Sequence, residues 1–402
     1  MVANIGRCSS RRPKKSRARK PDHLGGLKSR PPIAAELSWA QVHAFRLARH
    51  HLTKRAPKKD LLRAIADIGG VQAQLMSAAE LQAGVRVDCT VKDVRTALWT
   101  ERSLVKTWLM RGTLHLVPSQ DLPLYAAAMR SRLMRNVNSW LKLLQISEPE
   151  LMDIIGAIGD ALSEIPMTRE ELVAAVGRGR SEHVRSVLKS GWGVFLKPVA
   201  RSGLLCFGPN RGQSVTFVRP EQWLDSWTEL DSDNALVEVA RRYLRAYGPA
   251  TKEDFARWFG AWPGVGKAAW TGLGGELVPV SIEGVRADML GTDVSFLAKA
   301  GRGSVRLLPA FDPYLLGHNS REHLVDAANL SRVSRTAGWI SAVVLIDGRV
   351  AATWSHTIAK DALRIEIDPF RPLPANARQE IRTRAEELAG SLGLSKVEVT
   401  VA

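Results

Sequence analysis

Between residues 38 and 100 the apolar positions fall at helical spacing in short runs, each opened by a polar cap. Ser38 with Gln41 three positions on reads as a capping box ahead of Val42, Phe45, Leu47 and Leu52. Leu61, Leu62, Ile65 and Ile68 make the next stripe, which Gly69-Gly70 ends because glycine enters left-handed conformations without a Cβ penalty. Ser77 and Glu80 predict another capping box and a helix over about 77–84; Thr90 and Asp93 predict a helix through Leu98 and Trp99. From Val105 to Val117 the period shortens to that of a strand, with Arg111, Thr113 and His115 on one face and Leu114 and Leu116 on the other.

The pattern returns further on. Thr168-Arg169-Glu170-Glu171-Leu172 with Val176-Gly177 matches Thr251-Lys252-Glu253-Asp254-Phe255 with Phe259-Gly260. Each is a cap, an acidic third position, an apolar stripe and a glycine stop. The first leads to a helix at 181–189 and strands flanking Gly208–Gly212; the second leads to Gly/Trp-rich loops and strands around 277–289. Short helices followed by a strand pair are the winged form of the helix-turn-helix, and three such units are expected. Beyond Arg306 the texture is β-rich: a hairpin turning at Asp347-Gly348, a strand at 362–367, a helix at 375–391 and a strand at 396–401. The fold class is thus α+β, divided as a basic tail (1–33), winged-helix units at 34–145, 146–228 and 229–300, and a C-terminal β-rich domain (301–402).

Charge narrows the class of partner. The chain of 402 residues carries a formal net charge of +17. Residues 1–30 hold ten Lys/Arg against Asp22 alone, and the rest still carries 47 Lys/Arg against 39 acids, so the body is basic without the tail. A basic body points to a polyanion, most commonly nucleic acid. The tail lacks the apolar core of a secretory signal, and no window is apolar enough for a transmembrane span. The three cysteines, Cys8, Cys89 and Cys206, are too scattered for a disulfide framework or a zinc site, which suits a reducing cytoplasm.

Most chemical motifs fail on inspection. Ala261–Ala268 imitates a phosphate loop but ends in Ala268, which has no hydroxyl for magnesium, and follows no apolar strand. His318 and His323 are five residues apart, not the four of a zinc helix. Neither metal nor cofactor is expected. The connector Val71–Leu75 keeps more interest. If it is extended, Gln72 and Gln74 share one face and Ala73 turns to the other. Glutamine does not titrate, so this pair could orient a substrate or contact bases but could not act as a general base.

Several blocks together resemble the winged-helix DNA glycosylases of the AlkZ/YcaQ type. They are Val71-Gln72-Ala73-Gln74, Thr107–Leu116, Leu308–Gly317, and Arg335–Ile340 with Gly348-Arg349-Val350, in one order from about Leu37 to the C-terminus. The resemblance implies three winged helices around a basic concave channel. It also implies that Gln72 and Gln74 form the Gln-x-Gln catalytic signature, facing the sugar of an alkylated base. The implied reaction is hydrolysis of the N-glycosidic bond of cationic N7-alkylated purines, leaving an abasic site and extending to interstrand crosslinks. Arg111, Thr113, His115, Arg211, Asp312, Tyr314, His318, Arg321 and Arg335 are the expected DNA contacts. The expected partner is damaged double-stranded DNA, bound by a monomer in the cytoplasm beside the nucleoid, with no membrane. A non-catalytic winged-helix regulator or architectural protein is the alternative.

Overall fold

A computed structural model describes residues 32–130, 141–142, 145–190, 195–299 and 305–402; the basic tail, apart from residues 32 and 33, lies outside them. Four of the predicted capping boxes form in full. Ser38, Thr90, Thr168 and Thr251 each accept a hydrogen bond from the backbone of the third helical residue, whose side chain accepts one in return. They open the helices Trp39–Arg49, Val91–Trp99, Arg169–Val176 and Lys252–Phe259. The Ser77/Glu80 box does not form. Helix Met76–Gly84 begins at Met76 with Leu75 as its cap, so Ser77 is already inside it. Glu80 turns inward and accepts an ion pair from Arg95 at 2.6 Å.

The strands sort into four sheets. In the first, β2 (Val71–Gln72) and β3 (Leu104–Trp108) flank β4 (Leu114–Pro118), after β1 (Glu36–Leu37) in chain order. The second joins β5 (Met167–Thr168), β6 (Cys206–Arg211) and β7 (Ser214–Val218); the third joins β1, β8 (Leu277–Ile282) and β9 (Val285–Leu290). With their helices these three sheets are winged-helix units. The fourth sheet runs β10 (Val305–Leu308), β11 (Val343–Ile346), β12 (Arg349–Ala359), β13 (Ala362–Pro369), β14 (Lys396–Val401), backed by helix Ala375–Leu392. Among the described residues no helix is long and apolar enough to cross a membrane.

Three departures from the sequence pattern matter for the site. The stretch Val105–Val117 is not one strand: it folds back through a turn at Met110–Gly112, with Arg111 at φ 59°, so Arg111 does not share a strand face with Thr113 and His115. Residues near the start lie with the third sheet, not the first. β1 pairs in parallel with β8, and Leu37, Val42 and Phe45 pack on Val280, Ile282 and Met289. A two-residue strand with a distant partner leaves no local pattern to read. Finally, Pro263–Leu273 is a helix where loops were expected. Proline suits a first helical position, and Gly266 packs so close that a Cβ would lie 2.2 Å from the Lys252 carbonyl oxygen. The C-terminal hairpin turns as predicted, with Asp347 at φ 51° and Gly348 at φ 82°.

Candidate active site

The glutamine connector is held from below by the first core. Val71 and Ala73 are fully buried among Ile65, Ile68, Leu98, Leu104 and Leu116. Because side chains alternate along extended chain, Gln72 faces the other way. The preceding turn is steep: Gly70 sits at φ 92°, and a Cβ there would lie 2.7 Å from the Val117 side chain and 2.9 Å from the Leu116 carbonyl oxygen. Gly69, at φ 71°, leaves room for the Trp258 ring, and the Tyr247 hydroxyl donates to the Ile68 carbonyl at 2.8 Å.

Gln72 is fixed on both edges of its strand. Across the sheet it stands opposite His115 of β4. On the outer edge the side chain of Gln82 takes the part of a missing strand. Its Oε1 accepts from the Gln72 amide at 3.1 Å, and its Nε2 donates to the Gln72 carbonyl at 3.3 Å and to the Ala310 carbonyl at 3.0 Å. Gln82 is wholly buried, so this clamp joins the first unit to the C-terminal domain without solvent competition. No sequence motif marks this clamp, since Gln82 is one of three polar side chains on its helix, with Ser77 and Glu80.

The two amides differ in depth. Gln72 is 6% exposed, and its Oε1 is buried with no hydrogen-bond partner among the described residues. An unpaired buried acceptor costs about 1–3 kcal/mol, so such an oxygen marks a place where a group arriving in the site is welcome. Gln74 is exposed at the rim and accepts only a long contact, 3.5 Å, from the Leu114 amide. Gln72 is thus a buried side chain of the strand, and Gln74 an exposed one just past its end.

His115 stands beside Gln72, since directly opposed residues of an antiparallel pair project to the same side. Burial, with the Arg111 charge second, pushes its pKa down to about 3, so the ring is neutral at physiological pH. Its Nδ1 lies 2.9 Å from the Thr113 carbonyl oxygen. A carbonyl can only accept, so Nδ1 carries the proton and Nε2 is left as an acceptor. Thr113 itself closes the turn, its hydroxyl donating to the Met110 carbonyl at 3.1 Å.

Below the turn lies a cavity of about 390 Å³ bordered by Arg111, Arg321 and His318, together with Lys197, Arg201 and Arg257, which sequence reading missed. Lys197 and Arg201 are four apart on helix Leu196–Arg201, a spacing that could have revealed them. Arg111 donates to the Trp258 carbonyl at 2.8 Å, and Arg321 to the Leu315 carbonyl at 2.8 Å. His318 donates from Nε2 to the Tyr247 carbonyl at 2.9 Å; burial, then Arg46, holds its pKa well below the ordinary value.

Three of the expected DNA contacts must be corrected, the first being His115, which at 2% exposure lies under the surface beside Gln72. Asp312 is fully buried, takes two bonds from the Arg86 guanidinium at 2.7 and 2.8 Å, and caps the Tyr314 amide at 3.0 Å. Tyr314 is 3% exposed and donates to the Gly348 carbonyl at 3.1 Å. Both build the loop below the site and cannot touch a duplex. Arg211 lies elsewhere, exposed on the second wing and tied to Glu171 and the Pro166 carbonyl, each at 2.6 Å. Arg335 is exposed on the turn before Trp339. Among the described residues no three His, Cys, Asp or Glu side chains gather where they could hold a metal ion.

The chain is similar to known proteins over most of its length. A family model described as DNA glycosylase AlkZ-like matches residues 65–390. An interstrand DNA cross-link repair glycosylase of Streptomyces sahachiroi is 35% identical over 379 residues, covering 90% of this chain and 99% of the relative. The solved structure of Streptomyces sahachiroi DNA glycosylase AlkZ matches with a TM-score of 0.81 and 33% identity, covering 91% of this chain and 100% of the other.

Proposed function

Because the chain belongs to the AlkZ-like DNA glycosylase family, and is therefore a hydrolase of N-glycosyl bonds in DNA, we propose that its substrates are cationic N7-alkylated purines, including those joined in interstrand crosslinks. The similar Streptomyces protein is named for cross-link repair, which supports the second part. The first part rests on one observation: the Gln72 amide oxygen, buried and unpaired, beside a histidine held neutral.

The chemistry follows from the leaving group. Alkylation at N7 puts a full positive charge on the purine, so it can depart with the bonding electrons and no proton need be supplied. What remains is to stabilise the oxocarbenium-like sugar and direct a water to it. An amide oxygen presents the negative end of a dipole, and in a dry site that dipole is worth far more than in water. Gln72 would face the developing sugar charge. Gln74, at the solvent edge, would orient the water, with the His115 Nε2 lone pair as a further acceptor. The product is an abasic site, without strand cleavage.

Three winged helices in one chain suit a monomer that wraps one duplex rather than a dimer on a palindrome. The enzyme would work in the cytoplasm beside the nucleoid. Incubation with a duplex carrying one N7-methylguanine should generate heat-labile abasic sites, and Gln72→Ala should slow their formation by about 10²–10³-fold while still shifting the duplex in a gel. Binding without any abasic product by the unaltered protein would refute the substrate assignment.

A further inference from the structure

The cavity under the Met110–Gly112 turn is built from all four sheet-bearing parts of the chain. Arg111 comes from the first hairpin, Lys197 and Arg201 from the second unit, Arg257 from the third, and Arg321 from the C-terminal domain. None of its lining residues is acidic. Cations gathered without carboxylates repel one another, and the structure carries the signs. Arg257 and Arg321 both weaken the hold of Arg111 on its proton, after burial, and Arg257 does the same to Arg321. Arg201 Nε is buried with no hydrogen-bond partner among the described residues.

The backbone is committed as well. Arg111 occupies the left-handed region at φ 59°, where a residue with a Cβ is disfavoured. It is pressed there by Gly260, at φ 79°, where a Cβ would lie 2.6 Å from both the Arg111 nitrogen and its Cα. One conformationally costly residue, Arg111, and the glycine that makes room for it thus meet at the wall of one cationic cavity. A cationic N7-alkylpurine would be expelled from it, so the cavity is not the lesion pocket. An anion would be held by it.

We infer that this cavity is a cradle for a single backbone phosphodiester of the bound duplex, which locks the four parts of the chain around DNA at a fixed offset from the damaged nucleotide. Arg111 lies four residues from His115, so the cradle is at most about 14 Å along the chain from the Gln72 site. That span corresponds to a phosphate within a few nucleotides of the lesion. The inference rests on the substrate being duplex DNA and not on the leaving-group chemistry proposed above.

The test is a phosphate-neutralisation scan. Duplexes carrying a tetrahydrofuran abasic analogue at one position, and a single uncharged methylphosphonate linkage moved along each strand, are bound by the full chain, by Arg201→Gln and by Arg201→Lys. The unaltered protein should lose about tenfold or more in affinity at one linkage near the analogue. Arg201→Gln should be insensitive at that linkage only, and Arg201→Lys should restore part of the sensitivity. In parallel, inorganic pyrophosphate should raise the Tm of the unaltered protein and leave that of Arg201→Gln unmoved. Equal loss at many linkages, or the same pattern in protein and variant, would overturn the cradle. So would an Arg201→Gln protein that is destabilised by itself, since that would make Arg201 a structural residue. Failure to release any alkylated base, with the scan intact, would sink only the substrate reading.

Discussion

Gln72 holds its amide oxygen buried with no donor to it among the described residues, whereas Gln74 is exposed. A dipole in a drier place acts more strongly on a developing charge, so the two should not be equivalent. Gln72→Ala is expected to slow single-turnover release of N7-methylguanine by about 10²–10³-fold, and Gln74→Ala by less, with duplex affinity little changed in either. A larger loss for Gln74 would invert the assignment of the two amides. The buried Arg86–Asp312 pair tests the opposite kind of residue. Asp312→Ala leaves the Arg86 charge unpaired in the interior, which typically costs about 3–5 kcal/mol. Urea unfolding should register that loss; a stable variant impaired only in DNA binding would return Asp312 to the interface.

At the scale of elements, the site depends on a strand of two residues whose outer edge is completed by a side chain. Replacing Gln82 with Met removes all three clamp bonds while keeping bulk. The rate of base release should fall with little change in Kd, because the duplex does not touch Gln82; a proportionate loss of binding would argue for general unfolding instead. Gly70→Ala should cost roughly 1–3 kcal/mol, given its φ and the contacts a Cβ would meet. Capping boxes, glycine stops and the Asp347-Gly348 turn were legible in the sequence because each is a local interaction among neighbours. The inward turn of Val71 and Ala73 on either side of Gln72 was legible for the same reason, alternation being a property of extended chain. What was hidden depends on distant partners: β1 on β8, the Gln82 clamp, the Asp312 ion pair, and the Arg111 turn shaped by Gly260. Composition also misled once, where the glycines of helix Pro263–Leu273 serve close packing and not a loop.

For the molecule as a whole, neutral buried histidines set a limit in acid. His43 and His115 are lowered to about 3 and His323 to about 2, in each case chiefly by burial and next by a nearby arginine. Their folded pKa values lie below the unfolded value, so the unfolded chain takes up protons first as the pH falls. Stability is therefore full above about pH 6.5 and declines from there toward pH 3, by about 1.4 kcal/mol per histidine per pH unit. Thermal unfolding should show Tm falling steeply between pH 6.5 and 5; an unchanged Tm over that interval would mean these rings are charged or exposed. Base release, in contrast, should be flat from pH 6.5 to 8, since the glutamines do not titrate and His115 stays neutral throughout.

All of this turns on uncharged amides being sufficient because damage has already charged the departing base. The direct measurement is single-turnover release of N7-methylguanine and of neutral O6-methylguanine from otherwise identical duplexes. The charged base should be excised and the neutral one should remain, although the two differ only in where one methyl group sits and in the one proton that carries the charge. Comparable excision of both would contradict the account, since it would require the protein to supply an acid that Gln72 and Gln74 cannot be.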